Sequence, residues 1–572
     1  MSESLKVVFG LAGGLALFLF GMNSMSDALQ KAAGERMKSI LGFLTRNPVM
    51  GALAGMLVTA VLQSSSATTV MTIGFVSAGL MSLPQAISVI FGANIGTTMT
   101  AQLLAFKISD YIYPIIFIGF LINFLSNKEK MKNIGLVIFS FGLLFEGIEI
   151  MGNVMKPLAS SPIFTDLMGR VSQVPVLGVL LGLTMTLVVQ SSSATIAVLQ
   201  SFASQAGPDG VSSVIGLTGA IPILLGDNIG TTITALLASI GQSKNAKRTA
   251  LAHSVFNITG SMVFIWIIPL LVRFVEAISP KGPEVEVISR QIANAHTTFN
   301  VVCTLVWLPL LPLMVKIVTF LIKGKDPIEN EAYQPHFLDD KVIGQPAAAM
   351  YLVSQELNHC AGFAAEMLKD AGAYLTGEGD REAARKRFSE TCSAVKRLQG
   401  QISQYITKML SSGTLTEIQS EQTAGLLTVS NNIERIADRC GEILEVTRKI
   451  QNEGRSISTE ATGELRHLFD ILNSLFSQAI EAVSTGNWEA ARKVSRNKSK
   501  MRKAQKQFNK AHLARVKKNV CDPALLEDFS GILYNLDRIA DNCVSIAEEA
   551  LDHVAFVNME LSDMAVPAGE AE

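Results

Sequence analysis

The sequence predicts an all-α protein in two parts. A polytopic membrane domain of two inverted repeats, each with a re-entrant hairpin, is followed by a cytoplasmic antiparallel helical bundle. Three observations carry this. Residues 1–330 hold 35 of the 97 Asp, Glu, Lys and Arg residues, and the remaining 242 hold 62. Residues 47–106 are 60 consecutive positions without a charge, where one span needs only about 20. Finally, Gln63-Ser64-Ser65-Ser66-Ala67-Thr68 returns letter for letter as Gln190-Ser191-Ser192-Ser193-Ala194-Thr195, each copy inside an apolar run.

The duplication is wider than the serines. Pro48, Gly51, Gly55, Thr59 and Gln63 match Pro175, Gly178, Gly182, Thr186 and Gln190 at an offset of 127. Gly21 and Met25 match Gly147 and Met151 with one residue less. Downstream, Gly92-Ala93-Asn94-Ile95-Gly96-Thr97-Thr98 returns as Gly226-Asp227-Asn228-Ile229-Gly230-Thr231-Thr232. Three blocks in one order are not chance. Polar clusters at bilayer depth are costly unless they line a cavity or bind something. Matched halves with a polar site between them mark a secondary transporter.

Taken in order, the chain opens on an apolar segment read as a retained first span, because Gly21 and Met25 belong to the repeat. Pro48, the serines and the turn near 79–84 divide the uncharged run, so 48–81 reads as a hairpin of two half-helices with the serines at its tip. A span at 85–106, broken at 92–96, and full spans at 111–126 and 134–153 follow. The second copy supplies a hairpin at 175–206, a broken span at 214–240 and full spans at 251–276 and 297–322. Repeat one covers about 5–130 and repeat two about 134–325, within a membrane domain of 1–325. Basic loops at 27–47 (Lys31, Arg36, Lys38, Arg46), 127–133 (Lys128, Lys130, Lys132) and 243–250 (Lys244, Lys247, Arg248) fall on the cytoplasmic side by the positive-inside rule. Three crossings then separate the hairpins, which inverts the second copy and lets the two tips meet near the midplane. The expected location is the plasma (inner) membrane of a bacterium, with membrane lipid as a partner.

A helix break exposes N–H donors at one new end and carbonyls at the other. The donor ends suit an oxyanion, and the serine hydroxyls add donors that rotate to fit a tetrahedral ligand. Carbonyls and hydroxyls of Gln63, Gln190, Asn94, Asn228 and the neighbouring threonines offer neutral hard oxygens for sodium. The competing reading is that small hydroxyl residues only let helices pack closely. Asp227, opposite Ala93 in the other copy, is either a cation ligand or proton carrier, or a cap of the following half-helix. His253 with Asn257, and His296 with Asn300, repeat an Ala-His-x-x-Phe-Asn pattern that reads mainly as hydrogen bonding between helices.

Beyond a linker at 326–345, amphipathic helices are expected at 346–373, 379–411, 415–452, 460–486, 488–517 and 522–555, in a domain of 346–560 with a disordered tail at 561–572. Pro346 starts the first, and Gly377, Gly413 and Gly454 mark breaks. Glu434 and Asp438, and again Asp537 and Asp541, place two carboxylates four apart on one face in matching E/D-R-I-A-D segments. Two such faces could clamp a hard cation cluster, or stand exposed with ionic pairing through Arg435 and Arg538. The scattered cysteines lack CxxC spacing and fit a reducing compartment. A formal net charge of −1 argues against a nucleic-acid partner; a homo-oligomer through the helical domain stays open.

Paired QSSSAT segments in inverted repeats resemble the type II sodium/phosphate cotransporter family, over roughly residues 5–325. The resemblance implies that Gln63, Ser64, Ser65, Ser66, Gln190, Ser191, Ser192 and Ser193 contact inorganic phosphate. It also implies sodium coordination by Thr68, Asn94, Thr97, Thr195, Asn228 and Thr231, with Asp227 as a further candidate. The C-terminal part resembles the PhoU-type phosphate-uptake regulatory domain, which implies divalent or iron cations at Glu434, Asp438, Asp537 and Asp541. The expected function is sodium-coupled phosphate symport by alternating access with a cytoplasmic regulatory domain. Another oxyanion as cargo, or a phosphate sensor without transport, are the alternatives. Catalysis is not expected, since a serine hydrolase would need a strained Gly-x-Ser-x-Gly setting that is absent.

Overall fold

Proline and serine set the local breaks of the first half. In the computed structural model, which describes residues 3–33, 47–106, 108–159, 171, 173–207, 209–324, 335–551 and 554, every regular element is helical. Asn47 caps α2 (Pro48–Leu62; α1 is Glu3–Ala33), accepting from the Met50 N–H, with Pro48 at the first turn where its missing donor costs nothing. A sharp turn leads to α3 (Ser65–Ser77), and a second to α4 (Leu83–Leu104). After α5 (Ile112–Leu125) and α6 (Glu129–Ala159) the pattern returns as α7 (Pro175–Val189), α8 (Ser192–Ala203) and α9 (Gly216–Ala238). α10 (Lys244–Phe264), α11 (Ile268–Ile278), α12 (Glu284–Trp307) and α13 (Leu311–Leu321) complete the unit.

Among the described residues five helical runs are long and apolar enough to cross a membrane: Leu5–Ala32, Leu83–Leu104, Glu129–Lys156, Gly216–Ala238 and Lys244–Ile278. Large apolar side chains such as Phe124 and Trp266 stand 71% and 85% exposed, as lipid-facing groups do. α1 packs antiparallel on α6: Gly10 meets Val154 while Gly21 meets Ser140 and Leu144. The two hairpins lie at opposite ends of α4. The first leads directly into its N-terminus, with Ser77 Oγ donating to Gln242 Oε1 beyond the end of α9. The second ends where Gln200 Nε2 donates to the Ala101 carbonyl in the last turn of α4.

Two expectations are corrected. Residues 92–96 and 226–230 do not break their spans, for α4 and α9 run through them as continuous helices. The glycines serve packing instead: a Cβ on Gly92 would stand 1.7 Å from the Ala52 carbonyl oxygen, and one on Gly226 2.0 Å from that of Val179. Nor is 297–322 one straight span. α12 starts earlier, and α13 turns away from it by 87° where Pro309 and Pro312 interrupt helical hydrogen bonding.

The chain divides into compact units at Pro327 and Ile328. The second contains α14 (Pro346–Thr376), α15 (Arg381–Ser411), α16 (Glu417–Asn452), α17 (Thr459–Thr485), α18 (Trp488–Lys517) and α19 (Leu525–Glu549). Their ends follow capping chemistry: Gly377 and Gly486 take left-handed C-caps, Asp380, Ser458 and Asn487 cap N-termini, and Thr416 with Gln419 forms a capping box. α14 to α16 pack as one set and α17 to α19 as another, joined through α16 with α19 and α14 with α17. All six cysteines are free. The expected tail at 561–572, loop residues Arg36, Lys38 and Arg46, and the linker from 326 to 334 lie outside the described residues.

Candidate substrate site

Each Gln-Ser-Ser junction is a turn that ends one helix and starts the next. Gln63 ends α2 at φ 51° and Gln190 ends α7 at φ 54°; among the described residues only Asn519 shares a positive φ without being glycine. Such conformations persist where the surroundings impose them, and they cluster at functional sites. Ser64 Oγ then accepts from the Ala67 N–H at 3.2 Å and Ser191 Oγ from the Ala194 N–H at 3.3 Å, starting α3 and α8. The first-turn amides of these two half-helices have no intrahelical acceptor and carry the positive end of the helix dipole.

Both tips open into one cavity of about 340 Å³. It is lined by Gln63, Ser64, Ser65, Ser66, Gln190, Ser191, Ser192 and Ser193, by Thr97 of α4, by Val189, and by Leu19, Met22, Asn23 and Ser26 of α1. All eight residues singled out for phosphate are therefore brought together. Among the described residues no Lys, Arg, Asp or Glu lines it. A water occupies about 30 Å³, so a tetrahedral oxyanion fits with room for ions or waters beside it.

The sodium candidates divide into groups. Thr97 lines the cavity, while Thr68, Asn94, Thr195, Asp227, Asn228 and Thr231 are not among its lining residues. Thr59 Oγ1 donates to Thr68 Oγ1 at 2.8 Å, and Thr186 Oγ1 lies 3.1 Å from Thr195 Oγ1, so the matched threonines tie each hairpin's two half-helices together. Thr186 also donates to Asp227 Oδ1 at 2.6 Å, while the buried Oδ2 of Asp227 has no protein partner. Thr231 Oγ1 donates to the Asp227 carbonyl. Asn94 and Asn228 turn their amide oxygens to His253 Nε2 (3.0 Å) and His296 Nε2 (3.2 Å), the helix-to-helix role expected of the two histidines. The oxygen only accepts, so each imidazole donates through Nε2.

Other contributors were not anticipated. Ser26 Oγ donates to the Leu62 carbonyl, Thr100 Oγ1 donates to Gln63 Oε1 at 3.0 Å, and Ser66 Oγ sits 3.1 Å from Thr234 Oγ1. The available signal was the polar run Asn23, Ser24, Ser26 and Asp27 that follows the apolar stretch of the first span.

In the helical unit Asp438, Asp537 and Asp541 of the matching segments stand in ion pairs, the second of the two readings the sequence offers. Among the described residues no three His, Cys, Asp or Glu side chains gather as a metal-holding group. The carboxylates go to cations of the protein instead. Lys396 Nζ pairs with Asp438 at 2.7 Å and is held above the ordinary lysine range by that hydrogen bond, and Glu434 acts on it in the same sense. Lys498 and Arg538 pair with Asp541, and Arg502 and Arg538 lie 3.8 and 3.7 Å from Asp537.

Two family models match the chain: the Na+/Pi-cotransporter model at residues 17–153 and 153–278, and the PhoU domain model at 357–447 and 465–550. The uncharacterized protein YqeW of Bacillus subtilis is 34% identical over 266 residues, 46% of this chain and 84% of its own. The chain belongs to the Na+/Pi-cotransporter family. Over 551 residues it is 25% identical to an Escherichia coli protein named for inorganic phosphate export, YjbB, covering 95% of this chain and 97% of that one. The rat sodium-dependent phosphate transport protein 2A is 39% identical over 106 residues, 18% of this chain and 16% of its own. The crystal structure of PhoU from Pseudomonas aeruginosa aligns with 35% of this chain and 93% of that one, at a TM-score of 0.33 and 16% identity. The Escherichia coli and rat relatives are named for phosphate transport, not for an enzymatic activity.

Proposed function

We propose that the protein is a sodium-coupled carrier of inorganic phosphate that works by alternating access between two inverted halves. One observation carries the reading: the cavity holds two serine-rich half-helix N-termini and, among the described residues, no charged side chain. Its donors suit a phosphate oxyanion, yet an anion buried without counter-charge is costly. Cations entering with it offset that cost, which makes sodium a physical partner of the cargo and not an accessory. The free carboxylate oxygen of Asp227, whose other oxygen is held by Thr186 of the second hairpin, is a ready acceptor for one of them. The hairpins' entry at opposite ends of α4, and the antiparallel packing of α1 on its matching helix α6, support the inverted arrangement. The names of the rat and Escherichia coli relatives support the cargo; the cavity itself serves uptake or export alike.

The basic loops at 127–133 and 243–250 support a bacterial plasma-membrane location with the helical domain in the cytoplasm. The PhoU match supports a regulatory role for that domain.

The test is uptake of labelled phosphate by proteoliposomes under an inward sodium gradient, with Ser65→Ala and Ser192→Ala beside the parent. Each variant is expected to raise the phosphate KM about tenfold or more, since a hydrogen bond to a charged group contributes roughly 1.5–3 kcal/mol. Sodium-independent accumulation refutes the coupling. Inhibition by sulfate as strong as by unlabelled phosphate refutes the assigned cargo.

A further inference from the structure

α18 carries eleven Lys and Arg residues and one acid, Glu489, in its 30 positions. Its inner face is formed by Ala490, Ala491, Val494, Met501, Gln505 and His512, all buried. The opposite face is exposed and holds Lys493, Arg496, Lys500, Lys503, Lys506 and Lys510. Spacings of three and four residues line these cations along one stripe, about 26 Å long at the helical rise of about 1.5 Å per residue. Among the described residues none of the six has a carboxylate partner. The cations that lean toward neighbouring helices do: Lys498 pairs with Asp541 and Arg515 with Glu464. One turn before Arg492, Trp488 is 52% exposed with the Arg492 guanidinium 4.7 Å from its ring, an aromatic group suited to a membrane–water boundary.

We infer that this stripe docks on an anionic phospholipid surface. Six cations spread outward along a straight line do not converge on a small ion; they match a flat array of headgroup phosphates. Juxtamembrane basic clusters gain from such a surface within a Debye length of it. Only 24 residues separate Leu321, the end of the last apolar helix, from Pro346 at the start of the bundle, a tether of at most about 85 Å when fully extended. The inference needs the membrane reading of the first unit and is independent of the cargo.

Amine acylation of the full chain in lipid nanodiscs, read by mass spectrometry, tests it. In discs containing phosphatidylglycerol, Lys493, Lys500, Lys503, Lys506 and Lys510 are expected to react about fivefold more slowly than in phosphatidylcholine discs. Lys386, exposed on α15, serves as the unchanged control. Protection should vanish at about 0.5 M salt, where screening acts within a few ångströms. In the triple variant Lys500→Glu, Lys503→Glu, Lys506→Glu, Lys493 and Lys510 should lose their lipid-dependent protection. Equal rates in both lipids overturn the inference. Protection that ignores lipid charge assigns the stripe to a protein surface, such as a second copy of the chain, and overturns it as well.

Discussion

Gln63 and Gln190 hold left-handed conformations at a cost of order 1–3 kcal/mol each because the residues after them must start new helices. The letters showed both turns but not their inequality. Gln63 is buried and Gln190 exposed, and Ser26 ties the first tip to α1 through the Leu62 carbonyl. At the repeat's upstream offset the counterpart of Ser26 is Gly152, which has no hydroxyl to give. The Ala93/Asp227 pair is a second asymmetry, legible in the sequence, whose meaning depends on geometry. Thr186 holds one oxygen of Asp227 while the other is buried without a protein partner. Such a carboxylate calls for a cation or a proton. Asp227→Asn keeps the acceptor for Thr186 and removes the charge. The sodium concentration for half-maximal phosphate uptake is expected to rise about tenfold, roughly 1.4 kcal/mol, with the phosphate KM at saturating sodium little changed. An unaltered sodium titration would reduce Asp227 to a packing and capping residue.

At the level of elements, legibility followed the strength of the local signal. Pro48 and Pro175 open half-helices, serines cap their successors, and Gly377, Gly413 and Gly454 stand at the ends of helices in the second unit. Glycine within an apolar run was ambiguous. Gly92 and Gly226 looked like helix breaks, and only the distance to the neighbouring carbonyl shows that they exist for close approach. The charged faces were legible in part: Arg538 pairs with Asp541 inside its own segment, as the letters allow, whereas the pairing by Lys396 and Lys498 comes from other helices. His512 of α18 is a further case. It stacks on Phe529 of α19 with ring centroids 4.1 Å apart, and neither ring nitrogen has a partner. Burial holds its pKa below the ordinary histidine value, and Arg515 pushes the same way against Glu464. In the unfolded chain the ring titrates near about 6.5. Below that pH the unfolded state takes up a proton that the folded state refuses, so stability is full above 6.5 and falls as pH drops toward the depressed folded value. Thermal melts followed by circular dichroism should show the helical unit less stable at pH 5 than at pH 7.5. His512→Phe should flatten that difference; an identical pH slope in the variant would discard the explanation.

For the molecule as a whole, repetition in the letters foretold two matching halves, and the cavity gathers their tips. It did not foretell the contacts by which one half touches the other. Ser66 in α3 belongs to the first copy and Thr234 in α9 to the second, yet their hydroxyl oxygens are 3.1 Å apart. A carrier that alternates must separate such contacts in part of its cycle, since access changes by movement of one repeat against the other. The double variant Ser66→Cys, Thr234→Cys brings two thiols within reach of a disulfide. Among the native cysteines Cys360, Cys440 and Cys543 are buried with their thiol pKa pushed up, Cys360 and Cys543 to about 12, so they compete poorly for the oxidant. Oxidation is expected to abolish phosphate uptake and reductant to restore it. Because both states carry the same substitutions, the loss of the Ser66 hydroxyl cancels from the comparison. Full transport through a quantitatively cross-linked protein would mean that α3 and α9 travel together, and the moving boundary between the halves would have to lie elsewhere.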